Sequence, residues 1–248
     1  MKNLISLLLA LLVMESSLLG QSFNSEEKVP TGFTKLFNGL DFSNWKLPTG
    51  DSNHWKIIDK VIDYDGESEA KEDKNLWTNK SYKDFVLYVD WRIKGTWNNP
   101  RVPFLLPNGF IKKNEKGELI MMTVPDSDSG ILLRGNGKCQ ANIQCWPVGS
   151  GEVHGCWTDT NDSKKANHII PKTNADKDLG EWNTFKITMK GQFLTVELNG
   201  VIVIDNALLG ELAGEGSIGL QHHGIKKDGQ WVSTPSLVQF RHIYIKEL

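Results

Sequence analysis

Along most of this chain apolar residues recur at every second position rather than every third or fourth. From Asp84 to Ile93, Phe85, Leu87, Val89, Trp91 and Ile93 fall on one face, while Val86, Tyr88, Asp90 and Arg92 fall on the other. Successive side chains of an extended chain point to opposite sides, so this spacing predicts a strand with one buried face. The same alternation runs through 184–190 and 193–198, separated by Gly191-Gln192, and resumes at 201–205 after Asn199-Gly200. An Asn-Gly pair between alternating segments is a strong hairpin signal, because both turn residues must accept positive φ. Lys56–Ile58 and Val61–Tyr64 predict a further hairpin across Asp59-Lys60, and 217–221 and 238–246 predict two late strands. No long stretch has helical periodicity. Many short strands joined by Gly-rich turns predict an all-β chain folded as an antiparallel sandwich or barrel. Residues 95–123 break the pattern and carry three prolines, which predicts long loops over one end of the sandwich.

The first residues predict export. Lys2 precedes an apolar run from Leu4 to Met14, and small or polar residues follow at Ser16, Ser17, Gly20 and Ser22. This is the layout of a secretory signal peptide, too short in its apolar core for a comfortable membrane span. Residues 1–22 are therefore read as the leader, 23–31 as a polar tether, and 32–248 as one domain. The expected location is periplasmic or extracellular.

With 28 basic and 30 acidic residues, the net charge is −2. No Lys/Arg run offers a grip on phosphates, which argues against a nucleic-acid partner. The three cysteines, Cys139, Cys145 and Cys156, allow one disulfide with a free thiol or three buried thiols, and lack the spacing of a zinc site. Nine tryptophans and 23 glycines suit a β-protein that stacks sugar rings, although most of those tryptophans are expected in the core.

Four clusters carry candidate chemistry. The run 126–131 (Asp-Ser-Asp-Ser-Gly-Ile) leads into a strand ending near Arg134. In 140–146, alternation places Gln140, Asn142 and Gln144 on one face. Three amides on one face suit hydroxyl-rich ligands, because an amide both donates and accepts. Glu152 and His154, bracketed by Gly149, Gly151 and Gly155, share a side of a tight segment. In Gln221-His222-His223-Gly224 the adjacent histidines point to opposite faces, so at most one of them serves a site.

The segment 33–41 (Phe-Thr-Lys-Leu-Phe-Asn-Gly-Leu-Asp) with Trp45 resembles the opening of the 3-keto-disaccharide hydrolase family, formerly domain of unknown function 1080. Asp128-Ser129-Gly130-Ile131 with Arg134, the run 180–185, the run 220–224 and the terminal 238–243 continue that resemblance. It implies a concanavalin A-like jelly roll and a carbohydrate substrate. Relatives usually carry Asn where this chain has Asp128, a Glu-x-Gln pair where it has Gln140 and Asn142, and often Tyr where it has His154.

A 3-keto sugar has an acidified C2 proton, so one base and one enolate-stabilising group suffice for elimination, with water adding afterwards. The expected assignment is Glu152 or His223 as base, Arg134 polarising the enolate oxygen, and His154 assisting the leaving group. Asp128, Gln140, Asn142, Gln144 and Gln221 are expected to hold the sugar. No cofactor is expected; calcium held by Asp126, Asp128, Glu152 and the amides is a lesser possibility. The alternative reading is a lectin-like module that binds sugar without turnover.

Overall fold

The computed structural model describes residues 29–156, 169–210 and 212–248. The expected leader, and all of the tether but its last three residues, lie outside the described residues. Among the described residues no helix forms. The strands make two antiparallel sheets. The larger has the order β14 (Val201–Leu208), β13 (Phe193–Leu198), β12 (Asn183–Lys190), β6 (Phe85–Ile93), β18 (Val238–Glu247), β4 (Val61–Tyr64) and β3 (Trp55–Ile58), with β1 (Thr34–Lys35) also pairing β18. The smaller has the order β11 (Val153–His154), β10 (Gln140–Gln144), β9 (Asp128–Leu132), β15 (Gly219–Leu220), β5 (Leu76–Thr78) and β2 (Trp45–Lys46). The hairpin β16 (Ile225–Lys227)–β17 (Gln230–Ser233) stands apart. So does the pair β7 (Arg101–Pro103)–β8 (Met121–Thr123), which gives order to a region expected to be loop.

Strand β6 buries Phe85, Leu87, Val89, Trp91 and Ile93, the face that period two predicted. Phe185 and Ile187 of β12 and Phe240 of β18 lie in the same layer. Against them pack Ile131, Ala141, Ile143 and Val153 from the smaller sheet. The result is the antiparallel β-sandwich expected from the alternation. Of the eight described tryptophans only Trp45, Trp55 and Trp91 are buried in the core, fewer than expected. Others stack near the surface: the guanidinium groups of Arg92 and Arg241 sit 4.6 and 4.0 Å from the Trp182 ring. An amphipathic ring with a cation over its face needs no burial.

Cys139 and Cys156 form a disulfide, leaving Cys145 free. The bridge closes the ends of the β10–β11 hairpin, whose residues 140–154 hold most of the candidate site. Closing a loop of sequence separation 17 stabilises a fold by about 3 kcal/mol. The Cys139→Ser variant is therefore expected to lower the denaturation midpoint correspondingly under non-reducing conditions. An unchanged midpoint would show that the bridge does not constrain the unfolded chain.

The candidate sugar-binding face

Pairing in the smaller sheet explains how residues distant in sequence meet. Gln140, Asn142 and Gln144 lie opposite Leu132, Gly130 and Asp128 of β9, and His154 lies opposite Gln140 on the other side. Glu152 joins them because its carbonyl accepts the Asn142 N–H at 2.9 Å. Across β9, the Gln221 N–H donates to the Gly130 carbonyl at 3.0 Å. Ala141, Ile143, Ile131 and Val153 take the opposite, core-facing side. One face of this sheet is thus polar, and it is not a solvated outer face: Gln140, Asn142 and Gln144 are only 3, 6 and 7% exposed.

Two glycines make the crowding possible. A Cβ on Gly130 would lie 2.0 Å from Gln140 Oε1, so the Gln140 side chain lies across bare backbone. Gly151 has φ +104° and would press a Cβ to within 2.9 Å of Val203 Cγ2. This tight approach brings the Glu152 segment down onto the opposing sheet.

The amides are oriented by their neighbours. Gln144 Nε2 donates to the Gly149 carbonyl and to Glu152 Oε2, both at 3.2 Å. The Gly149 carbonyl has no proton to give, so Nε2 is the end that meets it, and the Gln144 oxygen accepts from Asn142 Nδ2 at 3.2 Å. That leaves Asn142 Oδ1 as the free end. Among the described residues it is buried without a partner, as are Gln140 Oε1 and Gln221 Oε1. A buried acceptor left unsatisfied costs about 1–3 kcal/mol. Three on one face leave hydrogen-bonding capacity unused there.

The charged groups border this amide floor. His223 N–H donates to Ser236 Oγ at 2.7 Å, and its ring Nδ1 lies 2.5 Å from the Thr234 carbonyl oxygen. A carbonyl has no proton to give, so Nδ1 carries a hydrogen, and Nε2 is the nitrogen that can hold a lone pair. His222 points elsewhere, onto the core residue Tyr64 and the Gly224 carbonyl, and burial drives its pKa down to about 4. The two adjacent histidines thus point apart, as alternation predicted. Burial raises the Asp128 pKa to about 6. The negative charges of Asp126 and Glu152 push the same way, against His223 and His154. Burial also raises the Glu152 pKa, with the bond from Gln144 opposing it.

A carboxyl whose folded pKa lies above its unfolded value holds its proton more tightly in the native state. Folding stability therefore falls as pH rises from about 4 to about 6. The displacement of Asp128 from 3.8 to about 6 bounds that loss at about 3 kcal/mol. Glu152 and Asp176 shift in the same direction, each chiefly through burial, and add to it. Asp128→Asn is expected to flatten this decline and raise Tm at pH 7 by a few degrees, as melting curves from pH 4 to 7 will show. An undiminished decline would place its origin elsewhere.

Arg134 is not part of this face. Its side chain is 1% exposed, donates to the Lys83 carbonyl at 2.6 and 2.9 Å and to the Ala213 carbonyl at 3.2 Å, and pairs with Asp84. With its fork committed to backbone oxygens it holds loops to the sheet, so the expected enolate role is withdrawn. Asp126 accepts a hydrogen bond from Thr234 Oγ1, which fixes the segment between β17 and β18 that carries the His223 partner. Among the described residues, no group of three or more His, Cys, Asp and Glu is gathered tightly enough to hold a metal ion by itself.

Trp77 was not singled out from the sequence. It pairs with Gly219 and Lys46 in the same row as Gln140 and His154, and its ring would lie 2.7 Å from a Cβ on Gly219. Its three-residue strand is too short to show a period; only an aromatic between two core-facing residues hints at it. A recess of about 540 Å³ has Trp77 and Lys46 of this row in its walls, and another, of about 250 Å³, has Gln144, Trp146 and Asp176 in its walls.

Comparison with known proteins gives this arrangement a family. A proposed glycosyl hydrolase from Parabacteroides distasonis superposes with a TM-score of 0.54 at 20% identity, covering 90% of this chain and 97% of its own. A second from the same organism gives 0.52 at 20%, covering 88% and 85%. These show the fold. No curated protein matches the chain. Residues 32–246 match the 3-keto-alpha-glucoside-1,2-lyase-like domain, and the chain belongs to that family.

Proposed function

We propose that this protein is an exported enzyme that cleaves 3-keto-glycosides by elimination followed by hydration. The observation that carries the reading is the floor of three buried, unpartnered amide oxygens bordered by His223, Asp128 and Glu152. The family's description as 1,2-lyase-like supports it. The Cys139–Cys156 bridge supports export, since disulfides persist in oxidising compartments.

In this reading Gln140, Asn142 and Gln221 accept hydrogen bonds from sugar hydroxyls, and Gln144 holds Glu152 in place. His223 Nε2 takes the C2 proton. The electron pair of that C–H bond forms the C1=C2 double bond as the C1–O bond to the aglycone breaks. Charge developing on the C3 oxygen is met by the Glu152 carboxyl, which burial keeps protonated to higher pH than usual. Asp128, with its pKa near 6, stands beside His223 to pass a proton to the departing oxygen. His154, exposed at the rim, assists there. Water then adds across the double bond, its hydroxyl to C1 and its proton to C2, which restores a 3-keto sugar and gives net hydrolysis.

Incubation with paired glucosides and 3-keto-glucosides, with products followed by mass spectrometry, tests this. Consumption confined to the keto series is expected. Saturable binding of a sugar with no consumption of any would assign the protein to the lectin-like alternative.

A further inference from the structure

One histidine outside the candidate site sits between two carboxylates. His54 precedes β3 and Asp65 follows β4, one step beyond the Trp55↔Tyr64 pair of that hairpin. His54 Nδ1 lies 2.9 and 3.1 Å from the two Asp65 oxygens, and Nε2 lies 2.9 Å from Glu69 Oε1. An ionised carboxylate only accepts, so both ring nitrogens donate and the ring is an imidazolium. We propose, resting on His223 as the base, that His54 is a positioning residue. Charged, it clamps the 65–69 turn against which His223 is seated, and the seat loosens when His54 loses its proton.

The turn and the seat touch. A Cβ on Gly66 would lie 2.9 Å from Pro235 Cβ and 3.1 Å from the Ser236 nitrogen, and one on Gly224 would lie 3.2 Å from the Gly66 carbonyl oxygen. Ser236 Oγ accepts the His223 N–H, and the Thr234 carbonyl accepts from its ring. Tyr64, just before the turn, contacts the ring of His222. The segment 234–236 and His222, which hold His223 in place, thus both rest on residues 64–66. Burial opposes the charge on His54, but the bonds to Glu69 and Asp65 prevail and raise its pKa above 6.5. Asp51, which accepts the His54 backbone N–H, adds negative charge, as does Glu67, itself paired with Lys226. Lys56, 3.4 Å from Asp65 Oδ2, acts against them. His222 is neutral, since burial brings its pKa down to about 4. A histidine whose folded pKa exceeds its unfolded value contributes stability that is fully present below the unfolded pKa. That contribution is lost as pH rises through the folded pKa.

Melting curves and kinetics of wild type and His54→Gln on a 3-keto-α-glucoside from pH 5.5 to 9 test the proposal. At the acid end the variant is expected to melt lower and to lose about ten- to a hundredfold in kcat, the scale of a small misplacement, with KM unchanged. Both differences should vanish toward pH 9, where the wild type has lost its clamp too. The ratio of the two enzymes cancels the titrations of His223 and Asp128 that they share. Glu69→Gln, on an exposed side chain, keeps a bond to Nε2 without the charge and should bring the loss of the clamp to lower pH. A kcat ratio constant across the range, or an unmoved profile in Glu69→Gln, would overturn the proposal. If no form turns over the sugar, the base assignment fails, and the imidazole NMR signal of His223, assigned with His223→Gln, decides the positioning separately. A displacement in His54→Gln at pH 6 that is absent at pH 9 supports it; a signal unchanged at pH 6, or displaced equally at both, overturns it.

Discussion

Replacing His223 with alanine is expected to slow turnover of a 3-keto-glucoside by about 10²–10⁴-fold, the usual worth of a positioned general base. The loss should fall on kcat, because sugar hydroxyls are held by the amides and not by the imidazole. The fold should tolerate the change. The ring is only half-buried, and its side-chain bond to the Thr234 carbonyl is to a group that water can satisfy once the ring is gone. Tm is therefore expected to stay within a few degrees. His223→Gln is the sharper comparison, since its amide can still donate to Thr234 yet has no basic nitrogen. It should keep the wild-type Tm and be as slow as the alanine variant. Near-normal kcat in both variants would remove His223 from the reaction and leave Glu152 as the base.

Arg134→Met is expected to do the reverse, with a large stability loss and little kinetic effect. Removing the guanidinium leaves the Lys83 and Ala213 carbonyls without donors and Asp84 without its cation. Breaking a buried charged network of this kind costs about 3–5 kcal/mol. For a chain of this size that lowers Tm by roughly 6–20 °C, at about 2–4 °C per kcal/mol. Assayed well below its new Tm, the variant should keep kcat within about twofold. A hundredfold loss of kcat with an unchanged Tm would restore Arg134 to the catalytic site and contradict its placement among backbone carbonyls.

Period two was enough to foresee β6, β12, β13 and β18, because each has one face in the core and one outside it. The strand foreseen at 217–221 forms only as the two residues of β15, and period two missed β5, three residues long, which is held by neighbours on both sides rather than by its own pattern. The amide face was legible for the same reason as the strands: Gln140, Asn142 and Gln144 alternate with Ala141 and Ile143, which must enter the core. What alternation does not carry is pairing. The register Gln144↔Asp128 and Gln140↔His154 joins residues far apart in the chain, and only the fold shows which of them meet. Arg134 was misassigned because a charge after a motif strand reads as functional. Its burial under Lys83 and Ala213 depends on loops that no local pattern reports. Trp77 was overlooked for the complementary reason: its significance lies in Gly219, 142 positions away, whose missing side chain makes room for the ring.

In the proposed mechanism cleavage begins with removal of the C2 proton from a keto sugar. Turnover of a 3-keto-α-glucoside in D₂O, stopped within the first turnovers and read by mass spectrometry against an enzyme-free blank, tests it directly. Released 3-keto sugar is expected to carry deuterium at C2 well above the blank, with the parent glucoside untouched. Released sugar with C2 hydrogen at the level of the blank, or equal cleavage of the parent glucoside, would contradict it.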